Sequence, residues 1–213
     1  MTLCCIIYTL FAPFNASLGK EGIELDLMDS AQILENEQRK SKLIKYLVKF
    51  KGHKRITPLV SPAPVDILIT LLGTMLGISF LSILLFIYEI PMLAASLGAS
   101  AVLVYGVPDA PLSQPRNVIL GHTFSASIGV LTYQIFGITW WSVALGAALA
   151  LLVMLLTKTT HPPGGATAML AVLNGAGPMF IVAPMISGSI ILVLVAVLVN
   201  NLSPNRNYPR YWY

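Results

Sequence analysis

The least ordinary run in the chain is His161-Pro-Pro-Gly-Gly-Ala-Thr-Ala168. Its two prolines remove two backbone donors and bias the residues before them away from helix. The glycines then permit a tight turn or a close backbone approach, and Ala-Thr-Ala-Met-Leu resumes a helix. A helix starting there leaves unpaired N–H groups at Ala166 and Thr167, beside a threonine hydroxyl. The N-terminal end of a helix carries partial positive charge and suits an anion. Gly98-Ala-Ser-Ala-Val-Leu103 offers the same donors at Ala99 and Ser100. Two such half-helix N-termini, opened by Gly98 and Gly165 and facing each other near a membrane midplane, make a site for a small anion. The same run also fits a kinked helix start that binds nothing.

The other candidate groups lie close to these in the pattern. Arg116, followed by Asn117, opens a long apolar run. It reads either as a snorkelling anchor or as the group that draws anions in from the cytoplasm. His122 lies one to two turns further on. An ionisable residue inside a membrane segment is a functional candidate by default, although a neutral imidazole bonded to a neighbouring carbonyl fits as well. His161 and Lys158 stand at the matching end of the second half. Asp66 and Glu89 bracket the first apolar run and read as caps or interface residues. Cys4 and Cys5 are adjacent, a spacing that disfavours a structural disulfide. No metal-ligand spacing, Gly-x-Ser-x-Gly or paired-Asp arrangement stands out, so neither a cofactor nor an enzyme is expected.

These groups sit in a chain of 213 residues that is 56% hydrophobic and 10% charged, with a mean hydropathy of +0.78. Soluble domains carry about 25% charged residues. Residues 1–60 hold 15 of the 22 charges, and only Asp66, Glu89, Asp109, Arg116, Lys158, Arg206 and Arg210 remain for the other 153 positions. A soluble fold cannot cover that length without large apolar patches. The reading is therefore an all-α integral membrane protein, which excludes a soluble enzyme or a nucleic-acid-binding domain for most of the chain.

Four parts follow. Residues 1–29 form an irregular N-terminal segment, in which Leu3–Phe14 is too short to span. Residues 30–60 read as a basic juxtamembrane helix, with Leu43, Ile44, Leu47 and Val48 opposite Lys42, Lys45 and Lys49. Its basic stretch 39–55 suits anionic lipid; the alternative is a helix that docks on a partner. The transmembrane domain covers 61–202, and 203–213 is a C-terminal tail. Within the domain, four long apolar runs (64–88, 117–136, 139–157 and 179–200) can each span. Two shorter runs, 91–106 and 162–176, are either re-entrant or cross as interrupted segments. If both cross, Arg116, Lys158, Arg206 and Arg210 all fall on the cytoplasmic side with the two termini, as the positive-inside bias favours. Gly98–Leu103 and Gly165–Leu170 share four of six residues, and three crossings per half give a 3+3 inverted repeat. Small residues at Gly73, Gly77, Gly121, Ser125 and Gly129 suit close helix packing.

Gly98-Ala-Ser-Ala-Val-Leu, Gln114-Pro-Arg-Asn117, Gly121-His122 and His161-Pro-Pro-Gly-Gly-Ala-Thr-Ala together resemble the HPP family of integral membrane proteins over about residues 60–200. The resemblance implies a small-anion permease, since cyanobacterial and plastid members are nitrite transporters, and a domain usually described with four transmembrane helices. A bacterial-type plasma membrane or a plastid envelope would be its location. Six short segments are few for a complete carrier, so a homo-oligomer is expected. The competing readings are a structural or regulatory membrane subunit and, behind it, an intramembrane enzyme.

Overall fold

The computed structural model describes Lys40, Ile44, residues 62–87, Glu89 and residues 94–212. Lys40 and Ile44 are helical and exposed; the rest of the expected basic helix, its lipid contact and the segment 1–29 lie outside the described residues. The chain divides into Met1–Val60 and Ser61–Tyr213, and the second unit is described below.

Its elements are α1 (Pro64–Phe86), α2 (Ala95–Gly106), a 3-10 turn (Pro111–Ser113), α3 (Pro115–Phe136), α4 (Trp140–Leu156), α5 (Pro163–Leu173), a distorted turn (Ile181–Ile186) and α6 (Ser187–Asn200). Among the described residues, three segments are long and apolar enough to cross a bilayer: α1, α3 and Ile181–Asn200, with mean hydropathies of 2.3, 1.2 and 2.7. Of the four long spans expected, that at 139–157 is a helix of only 17 residues. The interruption also falls elsewhere than expected. The short helices α2 and α5 are continuous, whereas the long segment 181–200 breaks at Ala183 (φ −127°, ψ 116°), just before Pro184. Proline lacks an N–H and crowds the preceding turn, so the break sits where the ladder is weakest.

Local chemistry sets the ends. Pro64, Pro115 and Pro163 each occupy a first helical turn, where no N–H is needed. Thr139 and Ser142 form a reciprocal capping box at the start of α4, and Gly137 supplies the positive φ that ends α3. The outward faces carry large apolar side chains, among them Leu68, Leu71, Met75 and Leu76 of α1 and Trp140, Leu152 and Leu156 of α4. That pattern matches a lipid surroundings rather than water.

α1 packs on α2 and α6, while α4 packs on α5 and α3. α2 also lies against α6, and α5 against α3; the two groups meet where α2 faces α5 and α3 faces α6. From Ala95 to Val107 and from Pro162 to Asn174, buried, half-buried and exposed positions coincide one for one. Small residues let these helices close up, as expected from their spacing. A Cβ on Gly73 would lie 2.7 Å from the Tyr105 ring, one on Gly121 2.6 Å from His161 Cβ, and one on Gly129 2.6 Å from the Ala168 carbonyl.

The tail after α6 is part of the packing. Arg206 bonds the carbonyls of Tyr105 and Asp66, Asn200 Oδ1 and Thr70 Oγ1, and pairs with the Asp66 carboxylate at 3.3 Å. Tyr208 is buried and donates to the Ser113 carbonyl; burial raises its pKa, so the phenol stays a donor.

Gly129→Ala is expected to cost about 1–3 kcal/mol through overpacking. Gly98 has nothing within 4 Å of a would-be Cβ, so Gly98→Ala should be neutral or stabilise by up to about 1 kcal/mol. Denaturant unfolding in detergent measures both.

Candidate functional site

Four of the candidate side chains converge. Ser100, near the middle of α2, places Oγ 2.6 Å from His122 Nε2 and 2.8 Å from His161 Nε2. His122, on α3, has its Nδ1 2.8 Å from Thr167 Oγ1 of α5. His161 Nδ1 donates to the Leu112 carbonyl at 2.8 Å. The two imidazoles meet edge to face with centroids 5.0 Å apart. All four side chains have no solvent exposure. Each polar atom nonetheless has a partner, since no buried side-chain N or O is left unpaired among the described residues. In a low-dielectric interior an unpaired polar group is costly, so this completeness is what lets the cluster exist there.

The elements bring these groups together for local reasons. The i−4 carbonyls of Ser96 and Pro163 lie 3.0 and 3.3 Å from the Ser100 and Thr167 hydroxyls, the usual back-bonding geometry in membrane helices. Gly121, one residue before His122, brings α3 against the segment carrying His161, and Gly164 lets α5 close on Ser125 and the Gly121 carbonyl. Arg116 donates to the Thr157 carbonyl at the C-terminal end of α4, a favourable place for positive charge. Asn117 donates to the Thr160 carbonyl. Together they fix the segment that delivers His161.

The remaining expected site residues are placed differently. Ala99 and Ala166 are exposed, and Gly98 and Gly165 have no neighbour where a Cβ would stand. Their helices begin at Ala95 and Pro163. Ala99, Ser100, Ala166 and Thr167 therefore lie past the three leading residues, and their N–H groups belong to the helical ladder. The expected pair of half-helix N-termini is thus corrected: the side chains of Ser100 and Thr167 converge, not the backbone donors around them. His122 is the eighth residue of the 22 in α3, roughly 10 Å from its start at 1.5 Å per residue, between one and two turns beyond Arg116. The Leu112 and Ser96 carbonyls could not be found from residue types, because any residue supplies a carbonyl.

A serine 2.6 Å from an imidazole has the spacing of a nucleophile and its base. Here, however, the hydroxyl is shared by two imidazoles, the group behind His122 is a threonine, and Ser100 is sealed. The arrangement suits hydrogen bonding and proton exchange rather than acyl transfer. Among the described residues, no three His, Cys, Asp or Glu converge to hold a metal.

The family model described as "HPP, transmembrane region" matches residues 60–209. Two similar proteins of Dictyostelium discoideum are each named a transmembrane protein. One is 40% identical over 136 residues, covering 59% of this chain and 47% of its own length. The other is 37% identical over 185 residues, covering 80% and 58%. The chain spans about half the length of the curated relatives it matches. No solved structure matches.

Ser100→Ala should destabilise the protein by about 1–3 kcal/mol for each imidazole nitrogen left unpaired. Ser127→Ala, which removes only a bond to the Thr123 carbonyl of its own helix, should stay within about 0.5 kcal/mol. Equal losses in detergent unfolding would show that the cluster has no special weight.

Proposed function

Because the chain belongs to the HPP transmembrane family, we propose that it is a permease for a small inorganic anion, with nitrite the first candidate. The observation that carries this reading is the sealed Ser100–His122–His161–Thr167 cluster inside an apolar, lipid-facing bundle. Polar groups are kept at such depth where they line a solute or proton path. The cluster offers hydroxyl and imidazole donors, and the sequences of α2, α3, α4 and α5 contain no carboxylate to repel an anion. Arg116, half-buried at the same end, adds positive charge near the approach.

The domain is read as six crossings in a 3+3 inverted repeat, with α1, α2 and α3 corresponding to α4, α5 and α6. Exchanging the two triplets leaves the set of packed helix pairs unchanged. The matched burial of α2 and α5 supports the same pairing, as does the placing of Ser100 and Thr167 at equivalent positions of the repeated motif on either side of His122. In this reading both termini are cytoplasmic, the membrane is a bacterial-type plasma membrane or a plastid envelope, and the working unit is a homo-oligomer.

Purified protein in liposomes should move nitrite, nitrate or chloride, and His122→Gln should slow that flux about tenfold or more, the equivalent of 1.4 kcal/mol. A protein that moves none of the three ends the reading. Cysteines at positions 116 and 158 should label from the cytoplasmic side alone; labelling of both from outside would remove the six-crossing topology and the repeat with it.

A further inference from the structure

Counting protons through the cluster gives it a direction. The Leu112 carbonyl can only accept, so His161 Nδ1 carries a proton and, in the neutral ring, Nε2 is bare. Among the described residues, the only side-chain hydroxyl bonded to that bare nitrogen is Ser100, at 2.8 Å. Ser100 has one proton, so once it is given to His161, His122 Nε2 must donate to Ser100 Oγ across 2.6 Å. His122 Nδ1 is then bare and takes the proton of Thr167. The neutral chain reads Thr167 O–H to His122, His122 N–H to Ser100, Ser100 O–H to His161, and His161 N–H to Leu112. Any other neutral assignment leaves at least one bare ring nitrogen facing an oxygen lone pair.

From this we infer that the cluster is a proton relay that accepts one added proton and passes it between His122 and His161 through Ser100. A proton arriving on His122 Nδ1 donates to Thr167 Oγ1, whose own proton turns to the Pro163 carbonyl 3.3 Å away. The Nε2 proton of His122 then moves to Ser100 Oγ as the Ser100 proton moves to His161 Nε2. One N–H and one O–H bond break, one O–H and one N–H bond form, and the positive charge passes to His161. Afterwards Ser100 donates to His122 Nε2, and His122 Nδ1 donates to Thr167. The chain has reversed with every partner kept. A second proton is opposed, because two imidazoliums would face one hydroxyl with ring centroids 5.0 Å apart.

The other titratable groups on the packed elements are committed elsewhere or lie outside the cluster. Tyr105 of α2 donates to the Leu192 carbonyl, Tyr133 of α3 packs on Gly175, Arg116 holds Thr157, and Lys158 is exposed in the turn before His161. α4, α5 and α6 contribute no ionisable residue. The histidine pair therefore takes up a proton by itself. The relay deepens the permease reading and rests on it for its use: a proton on the pair supplies the positive charge that a passing anion needs.

The test is 15N NMR of histidine-labelled full chain in lipid nanodiscs, with His122→Gln and His161→Gln to assign the signals. In the neutral form, His161 should carry its proton on Nδ1 and His122 on Nε2. On acidification, His161 should become doubly protonated while His122 switches to the Nδ1–H form in the same transition. In Ser100→Ala the switch of His122 should disappear. Thr167→Val should leave the starting Nε2–H tautomer of His122 in place, because Ser100 imposes it. It removes the acceptor for an added Nδ1 proton and so should push the switch to lower pH, a readout that holds if the serine variant does not fold. A His122 that keeps its tautomer while His161 titrates, or a pair that stays neutral until the protein unfolds, overturns the relay. Anion flux measured in parallel separates the two readings: the tautomer switch without flux removes the permease and leaves the relay, and flux without the switch does the reverse.

Discussion

A polar group sealed inside a lipid-facing bundle has no water to fall back on, so it must find every partner within the protein. The rest of the site's geometry answers to that constraint. Two hydroxyls and two imidazoles satisfy one another only if α2, α3 and α5 approach closely at Ser100, His122 and Thr167, and only if Leu112 presents its carbonyl to His161. Gly121 and Gly164 make the approach possible. Arg116 and Asn117 hold the carbonyls of Thr157 and Thr160, and so fix the segment that delivers His161.

A second polar knot does comparable structural duty at the C-terminal end of α2. Arg206 gathers the carbonyls of Asp66 and Tyr105 with Thr70, Asn200 and the Asp66 carboxylate. It thereby ties α1, α2 and the end of α6 to one guanidinium. The five-donor fork of arginine suits such a junction in a way that lysine does not. The two knots divide the work: one secures the helix ends, the other occupies the interior where the neighbouring faces are apolar.

Much of this was legible in the residues. Charge scarcity after position 60 marked the membrane domain, and the His-Pro-Pro-Gly-Gly run marked the start of α5. The spacing of Gly73, Gly77, Gly121 and Gly129 foretold the close contacts. Ser100, His122, His161 and Thr167 were all candidates before their meeting was visible. What misled was the backbone: the glycines of the motif suggested a late helix start with free N–H groups, whereas Pro162 and Pro163 already begin the helix and Gly164 serves close packing. The 181–200 break was missed because a single proline in an apolar run does not say whether the run bends or breaks. The tail looked like a tail because the partners of Arg206 and Tyr208 are mostly carbonyls, which leave no mark in a sequence.

The central claim is that Ser100, His122, His161 and Thr167 act as one unit. Ser100 and Thr167 each bond to His122, on opposite nitrogens of one ring. Their coupling is therefore measured by anion flux through Ser100→Ala, Thr167→Val and the double variant in liposomes. In a single unit the second loss adds nothing, and the double variant should be no slower than the slower single one. Losses that multiply, as independent sites require, would contradict it.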